Sequence, residues 1–492
     1  MTEEKSMKKE AVNPILPLSE YHPDGEPHVY NDRVYLFGSH DQQDGDTFCM
    51  LDYVFWSAPV DDLSDWSNKG VNYSVKQDPL YGKKMRYMYA PDVVQGNDGR
   101  YYLYYCLSGK YGKGGYANPI SVAVCDTPDG KYEYLGVVRN SDGTPLMKYA
   151  CFDPGLINDQ GTIRLYYGTT IPWLENIQPE WLKMKRMADT LQRPVKELKK
   201  MPQGIIGAYH VVLAEDMLTA VTEPVRIDDT ITGEGYAEHR FFEASSMRMI
   251  NDRYYFIYST VNNHELCYAV SGRPDGGFVY GGVIISNGDI GYMGRKPEDR
   301  LNHTGNNHGS IVQIWDQWYV FYHRPTHNSD YNRQACAEKI LIQPDGRITQ
   351  VQMTSCGLNQ GPLQGGVYPA GICCNLTNGR MTHSTNAKKK LQEPYVGDNG
   401  IICGITSGTD ITYKYFQVTG DIYLVLTARG GPGIFRTNLG GEITVPESNE
   451  WTQAGMTLHI AKGVYPLTLT YVGEGTAELK EIAFLQSKDT DN

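Results

Sequence analysis

The sequence predicts an all-β protein in which a five-bladed β-propeller is followed by a β-sandwich of the jelly-roll type. Two observations predict the propeller: one strand pattern recurs five times, and a short strand with a polar residue precedes each copy. A third predicts the sandwich, because the pattern ends near residue 359 and short strands separated by Gly-rich turns follow. At 492 residues the chain is long enough for separate cores.

The recurring strand is rich in aromatic and branched residues, which suit a buried, pleated surface. Counted at the third core residue, the copies are 67, 62, 91 and 64 residues apart. Three similar intervals and one long interval indicate blades of about equal size, one of which carries an insertion. The copies are DRVYLFGS from Asp32, GRYYLYYC from Gly99, GTIRLYYG from Gly161, DRYYFIYS from Asp252 and DQWYVFYH from Asp316.

The long interval contains a segment of different character, QPEWLKMKRMADTLQRPVKELKKM, which starts at Gln178. Lys, Met, Leu and Glu favour a helix, Pro179 suits a first helical turn, and Pro194 breaks or kinks the helix. The sequence therefore predicts a helical insertion at about 176–201, within a propeller domain that spans residues 1–355. We expect it to cover a blade edge or line a cleft, with membrane contact as the alternative.

The strands that precede the five copies predict a site. In a propeller the innermost strand of each blade lines the central channel, so five such strands converge on one axis. The predicted inner strands are GEPHV (25–29), APDVV (90–94), FDPGLI (152–157), FEASSM (242–247) and NHGSIV (307–312). Their polar residues, which we expect to meet on the axis, are Glu26, Asp92, Asp153, Glu243 and His308.

Short strands continue through residues 360–492, which we predict to form the sandwich domain, joined to the propeller by the stretch around Gly357–Gly366. The clearest strands are ITYKYFQV (411–418), IYLVLTA (422–428), TLHIA (457–461) and YPLTLTYV (465–472).

Composition argues against several partners. The net charge is −12, from 57 acidic and 45 basic residues without a long block of either sign, so no nucleic-acid partner is expected. The N-terminal segment lacks the apolar run of a signal peptide or membrane anchor, which predicts a cytoplasmic protein without membrane contact; a secreted protein without its leader gives the same pattern. Ten Cys without CxxC pairs predict reduced, packed thiols.

The acids among the axial residues suit hydrolysis of a glycosidic bond. That reaction needs one carboxylic acid to protonate the leaving oxygen and one carboxylate to activate water or attack the sugar. A third carboxylate keeps the pKa of the acid high, because neighbouring carboxylates do not all ionise together. Asp153, Glu243 and an acid at positions 24–26 supply such a set, whereas each motif alone would suit an ordinary turn acid.

These segments resemble the blade motifs of glycoside hydrolase family 43, a family of five-bladed propellers, in the same order over nearly all of residues 13–350. The matching segments are NPILP, PDGEPHVYNDRVYLFGSHD, YAPDV, FDPG, FFEASS and NNHGSIV. The resemblance implies an inverting glycosidase with a general base in blade one, a pKa-modulating Asp in blade three and a general acid Glu in blade four. By motif match, Asp153 is the modulator and Glu243 the general acid.

Blade one departs from the usual family pattern, in which the base is an Asp directly before Pro. Glu26 occupies that register here, and Asp24 lies two residues earlier in PDGEP. Residues two apart on a strand face the same side, so both are expected near the channel. Residue type and the preceding Pro23 favour Asp24 as the base, with Glu26 beside it.

Three further residues are predicted to bind substrate or a metal. The resemblance places His308 near a hydrated metal, often calcium, below the substrate, and a buried histidine bonded within the channel is the alternative. Asp92 either binds a sugar hydroxyl or caps a turn. Arg324 either pairs with an axial carboxylate or forms a salt bridge at the blade edge.

In the sandwich, GTDITYKYF (408–416) is similar to a strand of family 6 carbohydrate-binding modules. The resemblance implies a domain that binds sugar or packs on the propeller and shapes its cleft, and we favour packing.

Together these resemblances imply an exo-acting enzyme that removes terminal xylose or arabinofuranose from plant cell-wall (arabino)xylo-oligosaccharides. Exo action is inferred from the predicted cytoplasmic setting, where short imported oligosaccharides are trimmed from their ends. A galactan- or arabinan-acting member of the family and a carbohydrate-binding propeller that has lost its base are the alternatives. The predicted partner is an oligosaccharide, the chemistry needs no cofactor although calcium is compatible with it, and a homo-oligomer is compatible with the sequence.

Overall fold

The protein consists of five small antiparallel sheets and a two-sheet sandwich. Its structure is a computed structural model that describes residues 10–109, 114–200, 206–384 and 393–486. The propeller strands are, sheet by sheet, β1 (Glu26–Tyr30), β2 (Arg33–Phe37), β3 (Trp56–Pro59) and β4 (Ser67–Asn68); β5 (Tyr87–Gln95), β6 (Tyr101–Ser108), β7 (Ser121–Cys125) and β8 (Glu133–Val137); β9 (Gly155–Asp159), β10 (Thr162–Thr169), β11 (Gly207–Leu213) and β12 (Val225–Arg226); β13 (Phe241–Ile250), β14 (Arg253–Thr260), β15 (Leu266–Ser271) and β16 (Val279–Ile285); and β17 (Ser310–Ile314), β18 (Gln317–Pro325) and β19 (Arg333–Ile340). This confirms the predicted all-β propeller.

The recurring segments form the second strand of each blade, and the strands before them pack against each other around the axis. Short turns join the inner strand of each blade to its second strand, as the Asn and Asp residues between these strands predict. In blade four, Asn251 and Asp252 have φ of 49° and 59°, which is the backbone of a tight hairpin turn that favours these residue types. The aromatic side chains of the second strands lie in hydrophobic clusters between blades.

The ring closes where the N-terminal segment lies beside blade five. The Ile15 amide donates to the Ala335 carbonyl at 3.0 Å, and the buried Asn13 side chain bonds to Ala337 and Glu338, each at 2.9 Å. The first and last parts of the propeller are therefore joined by hydrogen bonds, which removes one open sheet edge.

The insertion on blade three is helical. It contains α1 (Pro172–Glu175), α2 (Glu180–Leu191) and α3 (Val195–Leu198). Pro179 and Pro194 are the N-cap residues of α2 and α3, so each proline marks a helix start. The predicted end of the insertion at residue 201 lies outside the described residues. Tyr116 of blade two packs against the apolar face of the insertion, which places the helices beside the propeller axis.

The sandwich has one sheet of six strands and one of five. The first contains β20 (Gly366–Pro369), β22 (Tyr395–Val396), β23 (Ile402–Ile405), β25 (Ile422–Gly430), β28 (Ser448–Leu458) and β30 (Ala477–Gln486), and the second contains β21 (Asn375–Thr377), β24 (Asp410–Val418), β26 (Gly433–Thr437), β27 (Glu442–Val445) and β29 (Gly463–Gly473). The strand predicted at 457–461 was misplaced, because β28 ends at Leu458. One apolar core lies between the two sheets.

Backbone hydrogen bonds join the sandwich to the propeller. The Leu376 amide donates to Leu301 at 3.1 Å, and the Val396 amide donates to Thr326 at 2.9 Å. All ten Cys are free, in agreement with the predicted reduced thiols. No helix of the described residues is long and apolar enough to cross a membrane.

Candidate active site

The inner strands are irregular where the predicted acids lie. Asp24, Asp153 and Ala244 have φ of 58°, 42° and 68°, a left-handed conformation that non-glycine residues rarely adopt. The pairing of β13 with β14 also shifts register on both sides of Glu243. Bulges and strained residues of this kind turn side chains away from the regular alternation and are frequent at functional sites.

A cavity of about 290 Å³ lies at this end of the axis. Four acids, Asp24, Asp153, Glu243 and Asp330, line it together with His308 and Arg333, and Asp330 is paired with His303. The rest of the wall is largely aromatic, from Phe48, Tyr89, Tyr116, Phe152, Phe242 and Tyr331. Charged groups at the bottom and rings around them make a pocket for a polar ligand with apolar faces, such as a sugar ring.

On the blade-one side, Asp24 is held as a carboxylate. Its Oδ1 lies 2.9 Å from Nη1 of Arg333, and its backbone amide donates to Nδ1 of His323 at 3.0 Å. Burial, the largest single influence, raises the pKa of Asp24, but Arg333, His323, His308 and the Ser39 hydroxyl together outweigh it and lower the pKa to about 2. Arg333 is buried and is itself fixed by two bonds to Asp41, at 2.8 and 2.9 Å.

On the opposite side of the cavity, the pKa values of the two acids Asp153 and Glu243 are raised. Burial, with the charge of Asp24 adding to it, raises the pKa of Asp153 to about 7. Desolvation and the neighbouring Asp153 raise the pKa of Glu243 well above its ordinary value. The Ala244 amide donates to Oδ2 of Asp153 at 3.1 Å, which fixes this carboxyl next to Glu243.

His308 lies among the acids on the axis. Its ring nitrogens are 3.9 Å from Asp24, 3.8 Å from Asp153 and 3.7 Å from Glu26. Burial opposes protonation of His308, but these carboxylates, with Glu26 foremost, raise its pKa to about 9. Calcium prefers oxygen ligands, which the carboxylates of Asp24, Asp153 and Glu26 offer beside His308, so a hydrated calcium near His308 stays a prediction.

Glu26 lies deeper on the axis and does not line the cavity. Its Oε2 accepts from Arg248 at 2.8 Å and from Ser246 at 3.1 Å. Burial, the largest single influence, raises its pKa, but Arg248, His308 and His28 together outweigh burial and the net shift is downward. Asp24 precedes β1 and has a left-handed backbone, so the expectation that the two acids share one strand face does not hold. Asp24 alone of the two reaches the cavity.

Asp92 and Arg324, which were predicted to bind substrate, both make hydrogen bonds within the protein. Asp92 is buried between blades, where it pairs with His28 at 2.7 Å and accepts from the Leu156 amide at 2.6 Å. The buried Arg324 donates to the Cys373 carbonyl of the sandwich at 3.2 and 3.3 Å. Neither residue lines the cavity. The polar groups beside each residue take up its hydrogen bonds.

Several lining residues carry no signal that the sequence pattern revealed. Arg333 lies at the start of β19, outside the repeated segments. His264 lies in the turn between β14 and β15, and Ser384 comes from the sandwich domain. Only the fold brings these residues to the axis.

The cavity thus contains one acid with a lowered pKa and one with a raised pKa, and glycoside hydrolysis uses a pair of this kind. The fold and the site define a propeller glycosidase. The chain belongs to glycosyl hydrolases family 43, whose family model matches residues 11–348.

One similar protein matches both domains, and others match about two thirds of the chain. A xylosidase/arabinosidase of Thermoclostridium stercorarium is 43% identical over 501 residues, which cover 96% of this chain and 98% of that protein. Xylosidase/arabinosidase 43A of Humicola insolens is 31% identical and covers 67% of this chain and 96% of its own length. The solved structure of a family 43 β-xylosidase/α-arabinofuranosidase from a compost microbial metagenome, a calcium-free complex with xylotriose, is 25% identical, with a TM-score of 0.51, and covers 70% of this chain and 98% of that one.

Proposed function

We propose that this protein is an inverting, exo-acting glycosidase that removes terminal xylose or arabinofuranose from (arabino)xylo-oligosaccharides. The observation that carries the proposal is the opposite ionisation of two acids in one cavity, Asp24 below its usual pKa and Glu243 above. The pentose specificity is supported by the names of the relatives, which are xylosidase/arabinosidases at 43% and 31% identity.

In the proposed reaction, the Asp24 carboxylate takes a proton from a water molecule as the water oxygen attacks the anomeric carbon. The bond between that carbon and the glycosidic oxygen breaks, and Glu243 donates its proton to the leaving oxygen. The sugar is released with inverted configuration, because the water enters on the face opposite the leaving group. Asp24 then loses its proton to solvent and Glu243 takes a proton from solvent, which restores the carboxylate and the acid.

Asp153 and Arg333 set the two ionisation states. Asp153 places a carboxyl next to Glu243, so a negative charge on Glu243 is disfavoured until the leaving oxygen takes the proton. Arg333 stabilises the negative charge on Asp24 at 2.9 Å. The proposed steps use side chains alone, and no step depends on calcium at His308.

Exo action is supported by the size and the wall of the cavity. A volume of about 290 Å³ is at the small end of the range for ligand pockets, which is about 300–1,000 Å³. Such a pocket accommodates one terminal sugar ring between aromatic side chains, and the rest of the oligosaccharide extends outward.

The test is to measure hydrolysis of xylobiose and of nitrophenyl β-xylopyranoside, α-arabinofuranoside and β-galactopyranoside, with proton NMR to identify the first anomer released. We expect turnover of a pentoside with inversion. Asp24→Asn should lose about 10²- to 10⁴-fold in kcat, the usual contribution of a general base. Glu26→Gln is the matched control and should keep most of the activity, because Glu26 does not line the cavity.

Loss of activity in Glu26→Gln but not in Asp24→Asn, with both variants folded by thermal denaturation, would assign the base to Glu26. Sugar binding without turnover of any of these substrates by the wild type would favour the non-catalytic propeller.

A further inference from the structure

One part of the cavity wall is formed where the two domains meet. The sandwich segment Thr382–Ser384 runs along residues 303–305 of the propeller, and Ser384 reaches the rim of the cavity. The Thr304 amide donates to the Thr382 carbonyl at 3.3 Å, and the Thr304 hydroxyl donates to the His383 carbonyl at 3.0 Å. These bonds fix the position of Ser384 relative to the propeller.

On the propeller side of this junction lies His264, in the turn between β14 and β15. Its φ of 54° is unusual for a residue other than glycine, and such strain is most frequent at functional sites. The turn is held by the buried Glu265, whose carboxylate accepts from Asn263 at 2.9 Å and from the Thr260 hydroxyl. The backbone of His264 is therefore kept in a costly conformation by the groups around it.

The ring of His264 lines the cavity between two other rings. Its centroid is 4.9 Å from that of Phe242, another lining residue, and 5.1 Å from that of His383 in the sandwich. Its Nδ1 atom is buried and has no hydrogen-bond partner among the described residues. Because a buried polar atom without a partner is costly, the ring gains a hydrogen bond if it turns this nitrogen towards a sugar hydroxyl in the cavity.

The charge state of His264 suits a neutral ligand. Burial, together with the neighbouring His383, lowers the pKa of His264 to about 3, so the ring is uncharged at neutral pH. A neutral imidazole has one donor and one acceptor nitrogen, which matches a sugar hydroxyl.

We propose that His264 of the propeller and Ser384 of the sandwich together bind hydroxyl groups of the sugar in the cavity, so that the substrate site is completed across the domain boundary. This rests on the proposed function and adds to it two specificity-determining residues. The sandwich is then part of the substrate site and not a separate sugar-binding module.

The first experiment measures binding of D-xylose to the full chain by isothermal titration calorimetry. His264→Leu and Ser384→Ala should each weaken binding by about 3- to 15-fold, the loss expected for one neutral hydrogen bond. His264→Asn should bind more tightly than His264→Leu, because Asn tolerates positive φ and its amide can replace Nδ1. Ser384→Thr keeps the hydroxyl and should likewise retain affinity.

His210→Ala is the matched control. His210 is also buried, and its pKa is also lowered, to about 4, but it lies in β11 and does not line the cavity. It should bind xylose like the wild type. In kinetics with nitrophenyl β-xyloside, His264→Leu should raise KM with a smaller change in kcat, whereas a general loss of folding would lower the active fraction and leave KM unchanged.

Equal xylose affinity in the wild type, His264→Leu and Ser384→Ala would overturn this inference and leave the proposed function intact. Absence of xylose binding by the wild type itself would overturn the pentose specificity of the proposed function and the inference with it.

Discussion

The two sides of the cavity use the same chemical group in opposite ways. On the blade-one side the carboxyl of Asp24 lies against the guanidinium of Arg333 and has a pKa of about 2. On the blade-four side Glu243 has a second carboxyl, Asp153, as its neighbour, and its pKa is raised. Both sides are desolvated, so the sign of the nearest charge decides which acid ionises. The predictions below test this contrast, from the largest effect to the smallest.

Removal of the acid on the blade-four side should give the largest change. Glu243→Gln should lower kcat on xylobiose by about 10²- to 10⁴-fold, because an unprotonated sugar alkoxide leaves poorly. Nitrophenyl β-xyloside should lose much less, since nitrophenolate leaves without help. Glu338→Gln is a control, because Glu338 is a buried Glu with a pKa raised to about 8 that bonds Thr354 away from the cavity. Equal losses on both substrates would argue against Glu243 as the proton donor.

Removal of the positive charge of Arg333 on the blade-one side should bring the pKa of Asp24 closer to that of Glu243. In Arg333→Met, the largest influence that opposes burial is lost and only His323, His308 and Ser39 remain, so the pKa of Asp24 rises and the acid limb of kcat/KM moves to higher pH by about one to three units. The pH dependence of kcat/KM measures this directly. Arg324→Met removes another buried arginine, one that bonds the sandwich backbone, and should leave the limb in place. An unchanged limb in Arg333→Met would contradict the assignment of Asp24 as the base.

The smallest effect should come from Asp153→Asn, which removes the like charge next to Glu243. The pKa of Glu243 should fall, so the alkaline limb of kcat moves to lower pH, with about a tenfold loss at neutral pH.

The stability of the Asp153→Asn variant should also change. The pKa of Asp153 is about 7 in the folded protein and near 4 unfolded, so folding takes up a proton between these values and stability falls as pH rises through them. In urea denaturation, the free energy of unfolding of the variant minus that of the wild type should be more positive at pH 8 than at pH 4. An equal difference at both pH values would contradict this account.

The sequence predicted the site residues that lie in the recurring blade segments and missed those that lie outside them. Asp153 and Glu243 stand at equivalent places in recurring segments, so their convergence followed from the blade pattern. Asp92 stands in the same kind of segment, but its neighbours His28 and Leu156 use its oxygens, and nothing in the repeat encodes those neighbours. Arg333 and His264 lie outside the recurring segments, and Ser384 belongs to the sandwich domain. Only the three-dimensional arrangement reveals these residues.

Blade one shows a different limit of sequence reasoning. Register favoured Glu26, whereas residue type favoured Asp24, and strand alternation placed both on one face. The left-handed backbone of Asp24 removes it from that alternation and turns it towards the cavity, while Glu26 pairs with Arg248. A single backbone angle before a strand decides which acid reaches the cavity, and no periodicity specifies that angle.

The closure of the ring affects how the chain gains activity during synthesis. Asp24 is made early, but its partner Arg333 lies 309 residues later, and Asn13 is fixed by Ala337 and Glu338 in the last blade. Until blade five leaves the ribosome, the blade-one acid has no guanidinium beside it. An unfinished chain therefore has neither a closed ring nor the buried ion pair of Asp24 and Arg333, and the complete cavity forms only when the first and last blades meet.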